Sequence, residues 1–472
     1  MGAITATAAV NRFGLGAMPG EPAQAGDPRG WLHAQLRAKP DMAPFAGLPD
    51  SLQIIQRQTE YRLQRRRAKA DDAPGKPAAN PISDDIERTP LQQRIRRDAI
   101  ADIALRYRIA ATTSVPFVER LVRFWSNHIA ISIDKNSARL LAAPMEREAV
   151  RPHVAGNFAD LLQAVETHPG MLLYLDNAAS VGDDSMLARR VERRDAKRKL
   201  GLNENLAREI LELHTLGVDG GYAQQDVVEL AKAITGWGTP LPRDAQNGGA
   251  SAFIFRPGAH EPGARSVLGK RYAEAGEAQG RAILCDLALH PATARHLSFK
   301  LARHFIADAP PPALVQRMSN AYLRSGGSLP ALYAAMIDDD AAWSAEARKF
   351  KTPEDFVVSA MRAGTIRLDR QPRVLTRLLQ GLGQPAFTPR SPAGFPDTAA
   401  DWASGDALRK RLQAAAALAE QVPASRKPVQ LAVDVLGADA VQGPFAELLR
   451  RAGSPQEGFA LLFSSPAFQW RV

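Results

Sequence analysis

Residues 203–217, Asn-Glu-Asn-Leu-Ala-Arg-Glu-Ile-Leu-Glu-Leu-His-Thr-Leu-Gly, gather more chemistry-bearing side chains than any other stretch of this chain. At about 100° per residue they form one capped helix with two faces. Asn205, Glu209 and Glu212 share one face, flanked by Glu204 and Arg208. Leu206, Ile210 and Leu213 share another and need a core. Glu204, Arg208 and Glu212 make an i, i+4 ion-pair ladder of the ordinary surface kind. Asn205 and Glu209 have no cationic partner within the helix. Glu209 and Glu212 are therefore candidate general bases or metal ligands, with Asn205 as an orienting group. His214 falls on the apolar side and reads as structural.

A second source of chemistry is Leu121-Val-Arg-Phe-Trp-Ser-Asn-His128. Leu121, Phe124, Trp125 and His128 recur at i, i+3, i+4 and i+7, so His128 points inward at a helix C-terminus, where the dipole favours an imidazolium. The plain reading is a core histidine bonded to a backbone carbonyl. The sharper one joins His128 to a carboxylate from another helix, as an acid–base pair or as metal ligands. Asn127 would orient a bound group.

Weaker signals are scattered. Asp176 and Asn177 end a short apolar segment, where they commonly cap a turn. His260 lies in a Pro/Gly bend. His296, Lys300 and His304 recur at i, i+4 and i+8, a spacing that a solvated face explains as well as a ligand set. No His-Glu-x-x-His, Gly-x-Ser-x-Gly or Gly-x-Gly-x-x-Gly signature occurs. Gly263 to Lys270 imitates a phosphate loop, but its spacing is one residue too long and Arg271 replaces the magnesium-binding Ser or Thr.

Helices must position these residues. Apolar periodicity predicts helices over 51–67, 90–110, 116–128, 157–167 and 223–235, with further helices from 277 to the C-terminus. Residues 68–90 collect Pro74, Pro77, Pro81 and Pro90 and read as a linker or mobile loop. Residues 180–200 are charged and read as a solvent loop. Phe253 to Tyr272 reads as a small β-hairpin. The fold class is all-α: a large multi-helix single domain, 1–472, with that hairpin as a minor element. Within it, 1–67 are N-terminal helices, 91–308 the motif-bearing core and 309–472 a C-terminal helical part.

A chain of 472 residues with 45% hydrophobic and 23% charged residues can bury a large core. The net charge of +10 is spread among acidic residues without aromatic-and-basic motifs, which argues against a nucleic-acid partner. Cys285 is the lone cysteine, so an intramolecular disulfide and a cysteine zinc site are excluded. No stretch reaches the roughly 18 apolar residues of a membrane span. No secretory signal is evident at the N-terminus, and a cytoplasmic protein is the default expectation.

Several stretches, taken in order, resemble one bacterial family. They are Asn11-Arg-Phe-Gly-Leu-Gly16, Phe124-Trp-Ser-Asn-His128, Gly156-Asn-Phe158 and Pro169-Gly-Met-Leu-Leu-Tyr-Leu-Asp-Asn177. With them go Asn203-Glu-Asn-Leu-Ala-Arg-Glu209, Thr235-Gly-Trp237, Leu268-Gly269 and Lys300-Leu301. The family is the one catalogued as domain of unknown function 1800. The resemblance spans nearly the whole chain and implies one long, mainly helical unit with no agreed activity. It adds Trp237 to the candidate site. It also implies a protein partner with a phosphatase- or sulfatase-like fold, encoded nearby, and many relatives look exported. Ser126 stands where the family usually has His, which weakens a two-histidine metal reading. Glu261 replaces the Asp that commonly follows His260, and Ala223 replaces a capping Thr, a loss of about 1 kcal/mol at that helix start.

Two functions follow as expectations. One is an enzyme with a polar pocket between the His128 helix and the 203–217 helix, with His128, Glu209 and Glu212 as catalytic groups or ligands of a divalent metal. Its reaction would be metal-assisted hydrolysis or oxidation. The alternative is a non-catalytic helical scaffold working with a protein partner.

Overall fold

A computed structural model of the chain describes residues 5–38, 40–71, 90–195, 197, 200–241, 244, 251–344 and 346–471. It is predominantly helical, and the strands among the described residues form three two-stranded antiparallel pairs. Most of the expected 68–90 linker lies outside the described residues, between the helices Ser51–Asp71 and Pro90–Thr112.

The Pro116–His128 helix organises the centre. Pro116 starts it, a first-turn position where a missing N–H costs nothing. Phe117, Leu121, Phe124 and Trp125 enter one hydrophobic core with Phe13, Phe158, Phe305, Tyr322 and Tyr333. The Trp125 indole nitrogen donates to the Tyr333 hydroxyl at 2.6 Å, so the buried ring leaves no polar atom unpaired. Each such buried aromatic is worth roughly 1.5–3 kcal/mol. The helix stops at Ile129, whose backbone leaves the helical region.

A second core joins Val10, Tyr107, Phe356, Met361, Leu418 and Phe459. The Ala9–Phe13 segment touches both cores, since Ala9 and Phe13 pack into the first and Val10 into the second. Its polar residues also tie distant segments together. Asn11 donates to Val435 O at 2.9 Å, and Arg12 to Ala342 O at 2.6 Å.

Three expectations need correction. The 253–272 region holds half of one strand pair and the whole of another. Ile254–Phe255 pairs with Trp237–Gly238, whereas the local hairpin is Arg265–Val267 with Lys270–Tyr272. Its two-residue turn, Leu268 (φ 48°) and Gly269 (φ 75°), has positive φ at both positions, the twist that favours tight hairpins. The 180–200 stretch is not all loop: Ser185 caps a helix over Met186–Arg194. The single helix expected at 203–217 is an α-segment, Asn205–Glu209, that continues as a π-turn, Ile210–His214.

Candidate functional site

The Pro291–Phe305 helix carries the residues that matter most. Leu297, Leu301 and Phe305 bury into the first core, so the stripe of His296, Lys300 and His304 lies beside them. It is not a solvated face. The His296 ring lies 5.8 Å from His128, and the His304 ring 5.3 Å from Phe124. Together the two helices and the 393–401 segment enclose a cavity of about 320 Å³, lined by His128, Lys300, Arg303, His304, Asp397 and Asp401 among others. That size falls at the small end of pockets that hold metabolites.

Its roof is held by Asn127, whose amide nitrogen donates to Phe395 O at 2.9 Å and whose amide oxygen accepts from Phe395 N at 2.8 Å. Gly394 (φ 81°) is required there, since a Cβ would lie 2.2 Å from the Asn127 carbonyl oxygen. Lys349 reaches Asp308 and the Asp397 carbonyl, and the Trp402 indole donates to Pro396 O at 3.0 Å. Asn127 therefore spends its side chain on the roof.

His304 lines this cavity; its Nδ1 lies 3.0 Å from Asp397 Oδ2, and its Nε2 is buried without a partner among the described residues. Burial pushes the imidazole below its usual pKa, although Asp397 pulls it back up. Burial opposes ionisation of Asp397, but His304 and Lys349 outweigh it and keep the carboxyl below the ordinary range. The carboxylate can only accept, so Nδ1 carries the hydrogen and Nε2 keeps a free lone pair. A carboxylate-oriented neutral imidazole with a bare Nε2 is the geometry of a general base.

His128 borders the same cavity, but as a neutral ring. Its Nε2 lies 3.2 Å from His214 O, and because a carbonyl only accepts, Nε2 is the donor and Nδ1 is left without a partner. Burial holds its pKa well below normal, with Lys300, His296 and His214 adding to the effect. This corrects the expected imidazolium: desolvation outweighs the helix dipole. The plain reading, a core histidine on a backbone carbonyl, describes its bond.

Neither Glu209 nor Glu212 makes an ion pair or hydrogen bond to His128 among the described residues. Glu212 faces Arg208 at 3.5 Å and accepts from Tyr222. Glu209 is half-buried, which raises its carboxyl pKa, and its charged surroundings are His214, Glu212, Arg208 and Glu166. The π-turn explains the difference. Its wider spiral brings residues five apart toward one side, and His214 is near enough to Glu209 to act on its carboxyl. His214 Nδ1 also meets Glu166 Oε1 at 2.7 Å, with both side chains fully buried. Thr215 Oγ1 donates to Ile210 O at 2.6 Å, satisfying a carbonyl in the bulge.

The other predicted residues are apart from this cavity. Asn177 is buried and donates to Ile234 O and Trp237 O, each at 3.2 Å. Asp176 is an exposed turn residue with φ 60°, and it pairs with Lys135 at 2.6 Å. Asn205 is exposed, at the start of its helix. Trp237 is buried against Phe253 and Arg281. His260 Nδ1 lies 3.0 Å from Thr235 O. These residues join neighbouring loops and helices to one another. Sequence reasoning missed Glu166 and Asp397, and it undervalued His214, Lys300 and His304.

A smaller cavity, about 60 Å³, shares His304, Asn127 and Asp397 with the first and is walled by Arg106, Arg120, Arg123, Glu354 and Asp355. Here each charge meets its opposite. Arg106 pairs with Glu146 at 2.8 Å and with Glu354, Arg123 pairs with Glu354 at 2.8 Å, and Arg120 pairs with Asp355 at 3.0 Å. Arg106 and Arg123 outweigh burial and hold Glu354 at about 2, and Arg120 and Arg471 hold Asp355 well below the usual carboxylate range.

Among the described residues no group of three or more His, Cys, Asp or Glu is placed to hold a metal ion, and the expected donor set of His128, Glu209 and Glu212 does not converge. The chain is thus a large helical protein with a histidine- and lysine-lined cavity roofed by a pinned loop. It belongs to the family described as Protein of unknown function (DUF1800), whose model matches residues 8–470. No curated protein and no solved structure matches it at a significant level. No helix among the described residues is long and apolar enough to cross a membrane.

Proposed function

We propose that the chain is an enzyme acting by general acid–base chemistry on a small substrate in the 320 Å³ cavity. The base is His304 and its positioning residue is Asp397. The observation that carries this reading is the 3.0 Å Nδ1–carboxylate contact with Nε2 left unpartnered. Nε2 would take a proton from water or a substrate hydroxyl while Asp397 stabilises the imidazolium that forms, a role worth about 10²–10⁴ in rate. Hydrolysis is the reaction class that such a base serves directly. No step is assigned to a metal on His128, Glu209 and Glu212, because those three do not meet.

The test is a screen of small esters, amides and phosphoesters with the purified protein, followed by substitution. His304→Asn should lower kcat by about 10²–10⁴ with thermal unfolding unchanged. Glu209→Gln should leave turnover near wild type. A His304→Asn protein that turns over at the wild-type rate would refute the reading.

The scaffold alternative draws support from Asn127, Asn177 and His260, whose bonds go to backbone groups of neighbouring segments. In that reading a partner with a phosphatase- or sulfatase-like fold docks on the assembled surface. Asn177→Ala would then weaken partner capture, and His304→Asn would change nothing measurable.

A further inference from the structure

We propose that Lys300 and Arg303 form an oxyanion-binding subsite in the same cavity, taking a carboxylate or phosphate of the ligand. The inference rests on the cavity being functional but not on His304 being its base. Lys300 is half-buried, yet it makes no ion pair or hydrogen bond among the described residues. Arg303, one turn further on, donates from Nε to Asp308 O at 3.0 Å and lies 4.4 Å over the Phe299 ring. It too lacks a carboxylate partner among the described residues. Residues i and i+3 lie side by side on a helix, and two adjacent cations repel there.

Asp397 is close enough to favour the charged form of Lys300, but neither it nor Asp401 makes an ion pair with Lys300 or Arg303 among the described residues. Asp397 is engaged by His304 at 3.0 Å and faces Lys349 at 3.8 Å, and Asp401 accepts from Thr398 at 2.5 Å. The helix C-terminus does favour cations, and that alone would account for two solvated side chains. It does not account for two cations one turn apart that both line the same cavity, beside His128, without an ion-pair partner among the described residues. An oxyanion supplies acceptors for both side chains at once, and charge-assisted bonds of that kind are the strong ones.

Titration with inorganic phosphate and, separately, with acetate tests the proposal, read by calorimetry and by the imidazole resonances of His128 and His304. Binding of either anion is expected at one site, with the His128 resonance shifting as the neighbouring charge is neutralised. Preference for one anion assigns the ligand group as phosphate or carboxylate. Lys300→Met should weaken binding by about tenfold or more, and Lys300→Arg should largely restore it. His304→Asn should keep anion binding, which separates this subsite from the base: loss of turnover with retained binding supports both readings. Turnover unaffected by His304→Asn, with binding still lost in Lys300→Met, leaves the subsite standing and removes the base. No binding of either anion, or binding equally strong in Lys300→Met, overturns the proposal.

Discussion

The Pro116–His128 helix borders two buried polar regions that are put together differently. On the arginine side, Arg106, Arg120 and Arg123 each lie within ion-pair distance of Glu146, Glu354 or Asp355. On the histidine side His304 pairs with Asp397 and His214 with Glu166, but Lys300 makes no ion pair among the described residues. Both sides keep buried atoms without a hydrogen-bond partner, Arg123 Nε and Asp355 Oδ2 on the first, His128 Nδ1 and His304 Nε2 on the second. Matched charges make an internal lattice that a ligand could only disrupt. An unpaired cation beside a cavity makes a place that an anionic ligand could complete. Buried charge therefore does not by itself distinguish the two regions; an unpaired cation beside a larger cavity does.

Breaking the lattice should produce the largest effect. Glu354→Ala removes the acceptor shared by Arg106, Arg123 and the Tyr107 hydroxyl, and should cost about 3–5 kcal/mol because the cations stay buried. Urea unfolding measures it, and an unchanged midpoint would mean that the two regions are energetically alike.

Acid should act on the histidine side. His128 and His304 have folded pKa values below 6.5, and that of His296 is lowered to about 4. A depressed imidazole binds fewer protons folded than unfolded, so its contribution falls as pH drops from about 6.5 toward 4. Asp102, raised to about 6 by burial, opposes this by binding its proton more readily when folded. A difference measurement isolates the histidine term. The unfolding free energy of His296→Gln, from urea titrations, should fall less steeply than that of wild type between pH 6.5 and 4, by an amount on the order of 1–3 kcal/mol. Parallel profiles would contradict it.

Outside both regions the effects should be smaller. Ala223 heads the Gln224–Ala233 helix with no side-chain cap, and only Asp226 Oδ2 accepts from its backbone nitrogen, at 2.8 Å. Ala223→Thr should add about 1 kcal/mol, read as a higher melting temperature. Arg208→Ala breaks the exposed ladder with Glu204 and Glu212 and should cost at most about 0.5 kcal/mol in urea unfolding, which would set the baseline for surface charge.

Much of the frame was legible in the sequence. The Pro116–His128 helix follows from its apolar stripe and its proline, and the all-α class follows from periodicity. The candidate site was legible only in fragments. His128 was found because Trp125 and Phe124 share its stripe. The Glu209 face was misjudged because a π-turn leaves no mark in a repeat counted at 3.6 residues per turn. His296, Lys300 and His304 show the same spacing whether they meet water or another helix. Asp397 lies 93 residues beyond His304 in a Pro/Gly/Phe-rich segment, and no local pattern joins the two. The Met186–Arg194 helix was hidden by its charge, although Ser185 is a recognisable cap.

The central claim, that an unpartnered base stands in the histidine cavity, is tested most directly by nitrogen NMR of ¹⁵N-histidine-labelled protein at pH 7. The account predicts that His304 is neutral, protonated at Nδ1, with the resonance of a bare nitrogen at Nε2, and that His304→Asn removes that signal alone. A His304 ring that is doubly protonated, or one whose hydrogen sits on Nε2, would contradict it.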